Sequence, residues 1–534
     1  MLSRWAALRR APRVCAVRAM HHTLRPTLSK LVHDAEAAAD ASLDRPVEAD
    51  AWVASMRRQK TRTFLELTDG TLGGGATLQA MITGDAPGIT PGAALHLAGR
   101  MRAGRGKKQS QQVEMHVDDV QVLADSELAT YPLAHLMHRA DDRDAIHEQA
   151  ADIARRESHW KARTAHYGAL SRTRARMERA MDAWFAREDF TKMYPPIITA
   201  SDCEGGGEIF RVVADADVDA ARPTPPENLT AFWSGQGAYL SVSTQLHLEA
   251  FALGLSRVYA LCPTFRAEGS ATNRHLAEFW MCEAELCWLP RGPEGLEAVM
   301  ACLEDMLKEM VGAALGLESS DRHGARAQQD LQLLLRADDP AQVLRTQAGL
   351  AQRWPRISYT EAIARIRAHA DAHPGAFTET PVWGDSLRSE HERWLATEAR
   401  APVFVTDYPT SEKPFYMREN DERVRLTDAL APGRAGEEAV TVACFDLLVP
   451  QMGELAGGSL REERESVLHE RMRAQGMDPD AGPLQWYHQD LRRYGGAPHG
   501  GYGLGMERLL SWVTHMDNVR DIVGFPRVKG RLRY

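Results

Sequence analysis

Four stretches concentrate the residues able to do chemistry. The first, Val258 to Trp288, reads VYALCPTFRAEGSATNRHLAEFWMCEAELCW. Two runs rich in apolar, β-branched and aromatic residues flank a polar segment with Gly269, Ser270, Thr272 and Asn273, the pattern of two antiparallel strands joined by a mobile loop. The first run ends on Arg266 and Glu268; the second opens on His275 and carries Glu278, Glu283 and Glu285. Unpaired buried charge is expensive, so on composition alone these acids read as an exposed, ion-paired face, or else as part of a site. The second stretch, Pro498 to Arg508, reads PHGGYGLGMER and leads into a helical pattern with Arg508 at its start. Its glycines, at 500, 501, 503 and 505, let backbone or a ligand approach without a Cβ in the way. A dinucleotide fingerprint fails here, because no βαβ unit or acidic ribose partner accompanies it. The third, SDCEGGGEIF (Ser201 to Phe210), sets Glu204 beside three consecutive glycines, a composition suited to a loop that moves. The fourth, FDLLVPQMGELAGGSLREER (Phe445 to Arg464), holds Asp446, Glu454 and Arg461 around paired glycines; a surface ion pair between Glu454 and Arg461 is the plain alternative.

FRAE and RHLAEFW, taken with GLGMER, resemble motifs two and three of the class II aminoacyl-tRNA synthetases, most closely the asparaginyl enzymes of the aspartate-like subgroup. The resemblance runs from about Trp52 to the C-terminus. It implies an α+β fold: an N-terminal OB-fold β-barrel, then a class II catalytic domain built on an antiparallel sheet flanked by helices. It also implies ATP-dependent activation of asparagine to its adenylate, with transfer to the 3′ end of tRNA-Asn. By that resemblance Arg266 binds the α-phosphate and the substrate carboxylate. Phe279 stacks adenine, with Arg508 on its other face and near the γ-phosphate, while Glu268 and His275 order the ATP. Asp446 and Glu454 stand at the Mg²⁺ positions. Glu204 matches the carboxylate that holds the α-ammonium, Gln245 a contact to the amino acid, and Arg461 the group that grips its side chain. Leu248 replaces a lysine found in bacterial aspartyl enzymes; a neutral residue suits a neutral carboxamide, since a cation facing an amide would be unpaired. Gly206, Gly269, Leu460 and Gly524 depart from the family pattern, and none removes a charge from this chemistry. The competing readings are an aspartyl enzyme that also charges tRNA-Asn and a catalytically silent RNA-binding paralogue.

These residues need elements to hold them. Trp52 to about Val122 alternates short strands with turns, which suggests a small β-barrel. By resemblance it grips the anticodon, with Phe64 stacking a base and Gln79 reading a base edge; a core Phe and a surface Gln are the alternative. Residues 126–165 read as a charged, Ala-rich hinge leading into a catalytic region at 166–534. Met181 to Ile198 reads as an amphipathic helix and then a strand ending YPPII. It resembles motif one, with Pro196 as the motif proline, and so implies a homodimer. The segment from Gly312 to Trp354 is Ala/Gln/Leu-rich, helical in pattern and poorly matched to the family, hence an insertion. VFVTDYP reads as a strand and SEKPFYMR as the start of its partner.

With 534 residues the chain exceeds one ordinary core. Hydrophobic content of 44% and charged content of 26% fit a soluble globular protein, and no apolar run approaches the ~20 residues that span a bilayer. A net charge of −9 argues against nucleic-acid binding through global charge, and leaves local basic patches as the route. Seven cysteines show no C-x-x-C spacing, which suggests neither a zinc cluster nor a disulfide framework. The first acidic residue is Asp34, after six arginines spread among apolar residues. That is the composition of a mitochondrial transit peptide, so residues 1–44 are expected to be leader and linker, with the barrel at 45–125.

Overall fold

The computed structural model describes residues 24–37, 43–84, 86, 88–104, 112–133, 152–200, 208–215, 218, 228–269, 274–317, 322–335, 340, 343–344 and 348–534. Glu204 with its glycines, residues 1–23 of the expected leader and residues 105–111 lie outside the described residues. The chain divides into two compact units, Met1–Leu72 with Ala76–Asp141, and Gly73–Gly75 with Asp142–Tyr534.

The first unit is a closed barrel. Strands β1 (Pro46–Arg58), β2 (Arg62–Thr68), β3 (Leu78–Thr83), β4 (Ala94–Ala103) and β5 (Val113–Ala124) close in the order β1-β2-β3-β5-β4. The two-residue period decides which side chains fill it. In β2, Thr63, Leu65 and Leu67 are buried while Phe64 and Glu66 are only half-buried, and in β3 Leu78, Ala80 and Ile82 are buried while Gln79 is not. Phe64 pairs with Met81 and Glu66 with Gln79, so Phe64 and Gln79 are diagonal neighbours on the outer face. The core-Phe alternative is thereby excluded. The stretch expected to be leader and linker holds a helix, α1 (Leu28–Ala37), whose Leu28, Leu31, Val32 and Ala35 are buried in the barrel's core cluster. Their spacing is that of one helical face, so α1 belongs to the folded barrel.

The second unit is built on an eight-stranded sheet. Its strands are β6 (Thr191–Lys192), β9 (Arg257–Phe265), β10 (Glu278–Cys287), β11 (Arg356–Ser358), β12 (Val403–Thr406), β15 (Cys444–Val449), β16 (Gly453–Leu460) and β17 (His499–Gly505), in the order β11-β12-β15-β16-β17-β10-β9-β6. Two small ribbons, β7 (Ile198–Thr199) with β8 (Tyr239–Leu240) and β13 (Glu419–Arg425) with β14 (Glu438–Val442), stand apart from it. The two apolar runs around residue 270 are indeed an antiparallel pair, β9 and β10. YPPII is not one strand: Pro195 and Pro196 offer no N–H to a ladder, and the chain splits there into β6 and β7. SEKPFYMR does not start the partner of β12, which pairs antiparallel with β15. Pro414 has no donor, and the next residue, Phe415, is fully buried in a separate cluster with Tyr416, Leu468 and Tyr487.

Helices cover the sheet. Helix α2 (Ala165–Arg187) is capped by Thr164, whose hydroxyl accepts from the Tyr167 N–H, and its Met177, Met181 and Phe185 join α4 (Pro293–Ala314) in the largest core cluster. The insertion supplies α5 (Arg322–Leu335), which adds Leu331 and Leu334 to the same core. Its buried Asp330 accepts from Arg172 at 2.6 Å and Arg176 at 3.0 Å, two arginines of α2 that a solvated helix face would have left in water. Helix α3 (Gln245–Leu255) lies on β9 and β10, helix α6 (Ser389–Ala399) on β15 and β16, and α7 (Met506–Thr514) follows β17.

Candidate active site

Strand register builds the floor of the site. Across β15, β16, β17 and β10 the partners run Asp446, Gly457, Gly503 and Glu283, a row with carboxylates at its ends and two glycines between. The next row in the same direction runs Cys444, Ser459, Gly501 and Glu285. On a strand, alternate residues share a face, so Phe279, Met281, Glu283 and Glu285 line one track along β10, opposite Gly505, Gly503 and Gly501 of β17. The glycines divide their duties. A Cβ on Gly501 would sit 2.1 Å from the Ala284 carbonyl oxygen and 2.4 Å from the Glu285 carboxylate, so that glycine is needed for strand packing. Gly503 and Gly505 line an open cleft.

That cleft is also lined by Arg266, Glu268, His275, Phe279, Glu454 and Arg508. All six were expected to touch ATP, and all six converge. The Arg266 guanidinium lies 5.8 Å from the Phe279 ring centroid, a cation–π distance. His275 Nε2 is 3.3 Å from Glu268, and Arg508 Nη1 is 3.4 Å from the Glu454 carboxylate. Burial pushes the Glu454 carboxyl up, but Arg508, Lys413 and Arg266 together outweigh it and hold the group below its usual range. Charge from both arginines therefore reaches a single carboxylate. Glu507, one residue before Arg508, accepts from the Trp280 N–H at 2.9 Å and from Arg174 at 2.9 Å, which ties α7 and α2 to the edge of β10.

Asp446 and Glu454 share the space over Gly457: their oxygens lie 3.4 and 3.7 Å from where a Cβ on that glycine would stand. Asp446 is held by Lys413 Nζ at 2.7 and 2.9 Å. Burial and the neighbouring Glu454 raise the Asp446 carboxyl against the pull of Lys413, and the pair holds Lys413 well above its ordinary value. Glu392, from α6, accepts from the Glu454 N–H at 3.3 Å; burial and then the Glu454 and Asp446 charges push it up to about 7.

Further along the track sits a buried ionic network. Arg461 forks onto both oxygens of Glu285, donates to the Ser459 hydroxyl at 2.6 Å, and lies 3.7 Å from Glu249. The alternative of a Glu454–Arg461 ion pair is not what forms, because Glu454 meets Arg508 and Arg461 meets Glu285. Glu249 is fully buried yet gathers the Gln245 amide at 3.0 Å, the Tyr487 hydroxyl at 2.8 Å, Arg492 at 3.2 Å and His499 Nε2 at 3.0 Å. Burial alone would raise its carboxyl, but His499, Arg492 and Arg461 keep it well below the usual range. Glu283 accepts from the Thr244 N–H at 2.8 Å and from the Ser243 and Thr244 hydroxyls, docking the N-terminus of α3 on the sheet. Gln245 follows directly. Glu283 and Glu285 are thus not on an exposed face, being 4% and 1% exposed, while Glu278 at the start of β10 is half-buried.

Leu248 does not face this network; it is fully buried among Ala252, Val258 and Ala260. The charge beside Gln245 comes from Glu249, one position on. Sequence reasoning passed over Glu249, Lys413, Glu392, Arg492 and Glu507. An i, i+4 relation to Gln245 on a helix was the one local signal for Glu249.

A family model described as tRNA synthetases class II (D, K and N) matches residues 150–529. The chain belongs to this family. It is therefore an aminoacyl-tRNA ligase of class II. Among curated relatives of this class II synthetase, the asparagine–tRNA ligase of Thermosynechococcus vestitus is 37% identical, covering 91% of this chain and 96% of its own. That of Rhodopirellula baltica is 35% identical, covering 92% and 91%. Among solved structures, asparaginyl-tRNA synthetase of Pyrococcus horikoshii complexed with asparaginyl-adenylate matches with a TM-score of 0.73 at 28% identity, over 96% of this chain and 99% of that one. The Entamoeba histolytica asparaginyl-tRNA synthetase matches with a TM-score of 0.70 at 25% identity, over 93% and 98%.

Proposed function

We propose that the chain activates asparagine with ATP and transfers it to the 3′ end of tRNA-Asn. The observation that carries this reading is that Arg266, Phe279, Glu454 and Arg508 line one cleft, at one end of a strand whose other end holds Arg461 and Glu285. A nucleotide in the cleft and an amino acid over the network would meet along β10.

In the first step an asparagine carboxylate oxygen attacks the α-phosphorus of ATP, the bond to the β-phosphate breaks, and pyrophosphate leaves. The carboxylate is already ionised at neutral pH, so no general base is required. Arg266 would neutralise charge growing on the α-phosphate, Phe279 would stack the adenine, and Arg508 would hold the distal phosphates. Catalysis is then positioning and electrostatic stabilisation. In the second step a ribose hydroxyl of the tRNA attacks the activated carbonyl and AMP leaves. Gln245 and Glu204 would hold the asparagine backbone ends, and Arg461 would donate to the side-chain carbonyl oxygen through its planar fork. Glu454, kept ionised, and Asp446, whose oxygens are held by Lys413 in this structure, face the space over Gly457 and would be the donors for Mg²⁺, which binds through few carboxylates plus phosphate oxygens, once Lys413 yields Asp446. When bound there, Mg²⁺ would supply charge neutralisation for the phosphates.

Phe64 and Gln79, side by side on the outer face of the barrel, would read the anticodon. Exposed Tyr194, Ile197 and Ile198 around the motif-one prolines favour a homodimer, which light scattering at twice the chain mass would bear out. The acid-free start favours a mitochondrial matrix address; because α1 is packed into the barrel, cleavage would fall before Leu28, and N-terminal sequencing of the mature protein tests that. The deciding experiment for function is ATP/pyrophosphate exchange with asparagine against aspartate. Exchange with asparagine at least a hundredfold more efficient than with aspartate is expected, and equal exchange with both would replace this reading by a non-discriminating aspartyl enzyme.

A further inference from the structure

Two segments distant in sequence meet on one face of the second unit. Residues 152–163 and 520–534 together contain nine lysines and arginines against three acids, in a chain whose acids outnumber its bases, 73 to 64. Arg531 donates to the carbonyls of Arg155 and Arg156 (2.8 Å to the latter), Arg533 donates to the Arg156 carbonyl at 3.3 Å, and His159 Nδ1 lies 2.7 Å from the Tyr534 hydroxyl. Lys161 is anchored below the surface on the carbonyls of Arg520 and Val523, at 2.7 and 2.6 Å. Arg155 takes up Asp521 at 2.8 Å and Asp152 at 3.2 Å. Lys529, Arg531 and Arg533, by contrast, meet carbonyl oxygens, which fix the side chains without cancelling their charge.

Aromatic rings lie among these cations. Phe525 and Tyr534 are about half exposed and 5.4 Å apart, and Arg533 lies 5.3 Å from the Tyr534 ring. Basic side chains interleaved with exposed rings match a nucleic-acid backbone and its bases better than they match an acidic peptide. The face also has a direction. Lys529 Nζ donates to the Gly269 carbonyl at 3.1 Å, next to cleft-lining Glu268, and the Arg527 carbonyl accepts from the Ala277 N–H at 2.8 Å.

We propose that this composite face binds the sugar–phosphate backbone of the RNA substrate at the end that enters the cleft. The proposal rests on the ligase reading for the identity of the RNA. The test is binding of a tRNA-Asn transcript to the full chain between 50 and 200 mM salt, for the native protein and for Arg156→Ala/Arg533→Ala, which removes two exposed arginines of this face, with asparagine-dependent pyrophosphate exchange measured alongside. Affinity should fall about tenfold, and the log–log salt slope should become shallower by roughly 2, near one unit per lost phosphate contact. Exchange should be unchanged, because neither arginine lines the cleft. Arg156→Lys/Arg533→Lys should restore the slope, which a purely structural role would not require. Unchanged affinity and slope in the alanine variant would overturn the proposal. Loss of exchange with asparagine in the native protein, with RNA binding still sensitive to these arginines, would instead remove the ligase reading and leave the surface standing.

Discussion

Glu249 touches more of the amino-acid end than any residue named from sequence. It bonds Gln245 and lies within ion-pair reach of Arg461, Arg492 and His499, so its charge sets the position of the groups expected to hold asparagine. Removing one member of a buried ionic set leaves the others uncompensated, at a cost of about 3–5 kcal/mol. For Glu249→Gln we expect the KM for asparagine in the exchange reaction to rise at least tenfold while the KM for ATP stays within about twofold, since the cleft residues are not among its partners. Equal increases in both constants would assign Glu249 a general structural role. The same residue marks where sequence reading stopped. Arg266, Glu268, His275, Phe279, Glu454 and Arg508 were legible because they sit in three compact stretches. Glu249 was not, because its partners Tyr487, Arg492 and His499 lie more than two hundred residues away and only the fold brings them to it. Leu248 drew attention instead, and it packs in the core.

At the scale of elements, strand register does most of the positioning. The row Asp446, Gly457, Gly503, Glu283 opens a trough because its middle positions carry no side chain, while Gly501 is fixed by the approach of Glu285. Gly501→Ala should push β17 from β10 and lower stability by about 1–3 kcal/mol, as overpacking does; thermal unfolding measures this, and an unchanged melting temperature would contradict the packing. The barrel and the β9–β10 pair could be anticipated from alternation and turn residues. Alternation could not reveal that the prolines at 195 and 196 split the motif-one strand, nor that 411–418 turns away to bring Lys413 to Asp446. Those outcomes depend on absent N–H donors and on a long-range ion pair. Helix α1 was obscured by its setting: a basic, alanine-rich start outweighed a buried stripe only four residues deep.

At the scale of the whole molecule, the proposed function assigns the two units separable duties. Phe64 stands on the barrel's outer face with Arg57 5.1 Å from its ring centroid, a stacking platform beside a cation. Phe64→Ala should raise the KM for tRNA by about tenfold, a stacked base being worth roughly 1–3 kcal/mol, and leave pyrophosphate exchange untouched; a fall in exchange would mean that the barrel acts on the chemistry itself. The second unit should in turn perform adenylate formation without reference to the anticodon. In the proposed mechanism its chemistry depends on two guanidinium groups, one from the β9–β10 hairpin and one from α7, which line one cleft and would act on a single triphosphate. The most direct test is asparagine-dependent ATP/pyrophosphate exchange in Arg266→Ala and in Arg508→Ala, each checked for native secondary structure by circular dichroism. Both should lose at least a hundredfold in rate, about 2.7 kcal/mol of transition-state stabilisation, whereas native exchange in either folded variant would contradict a shared nucleotide.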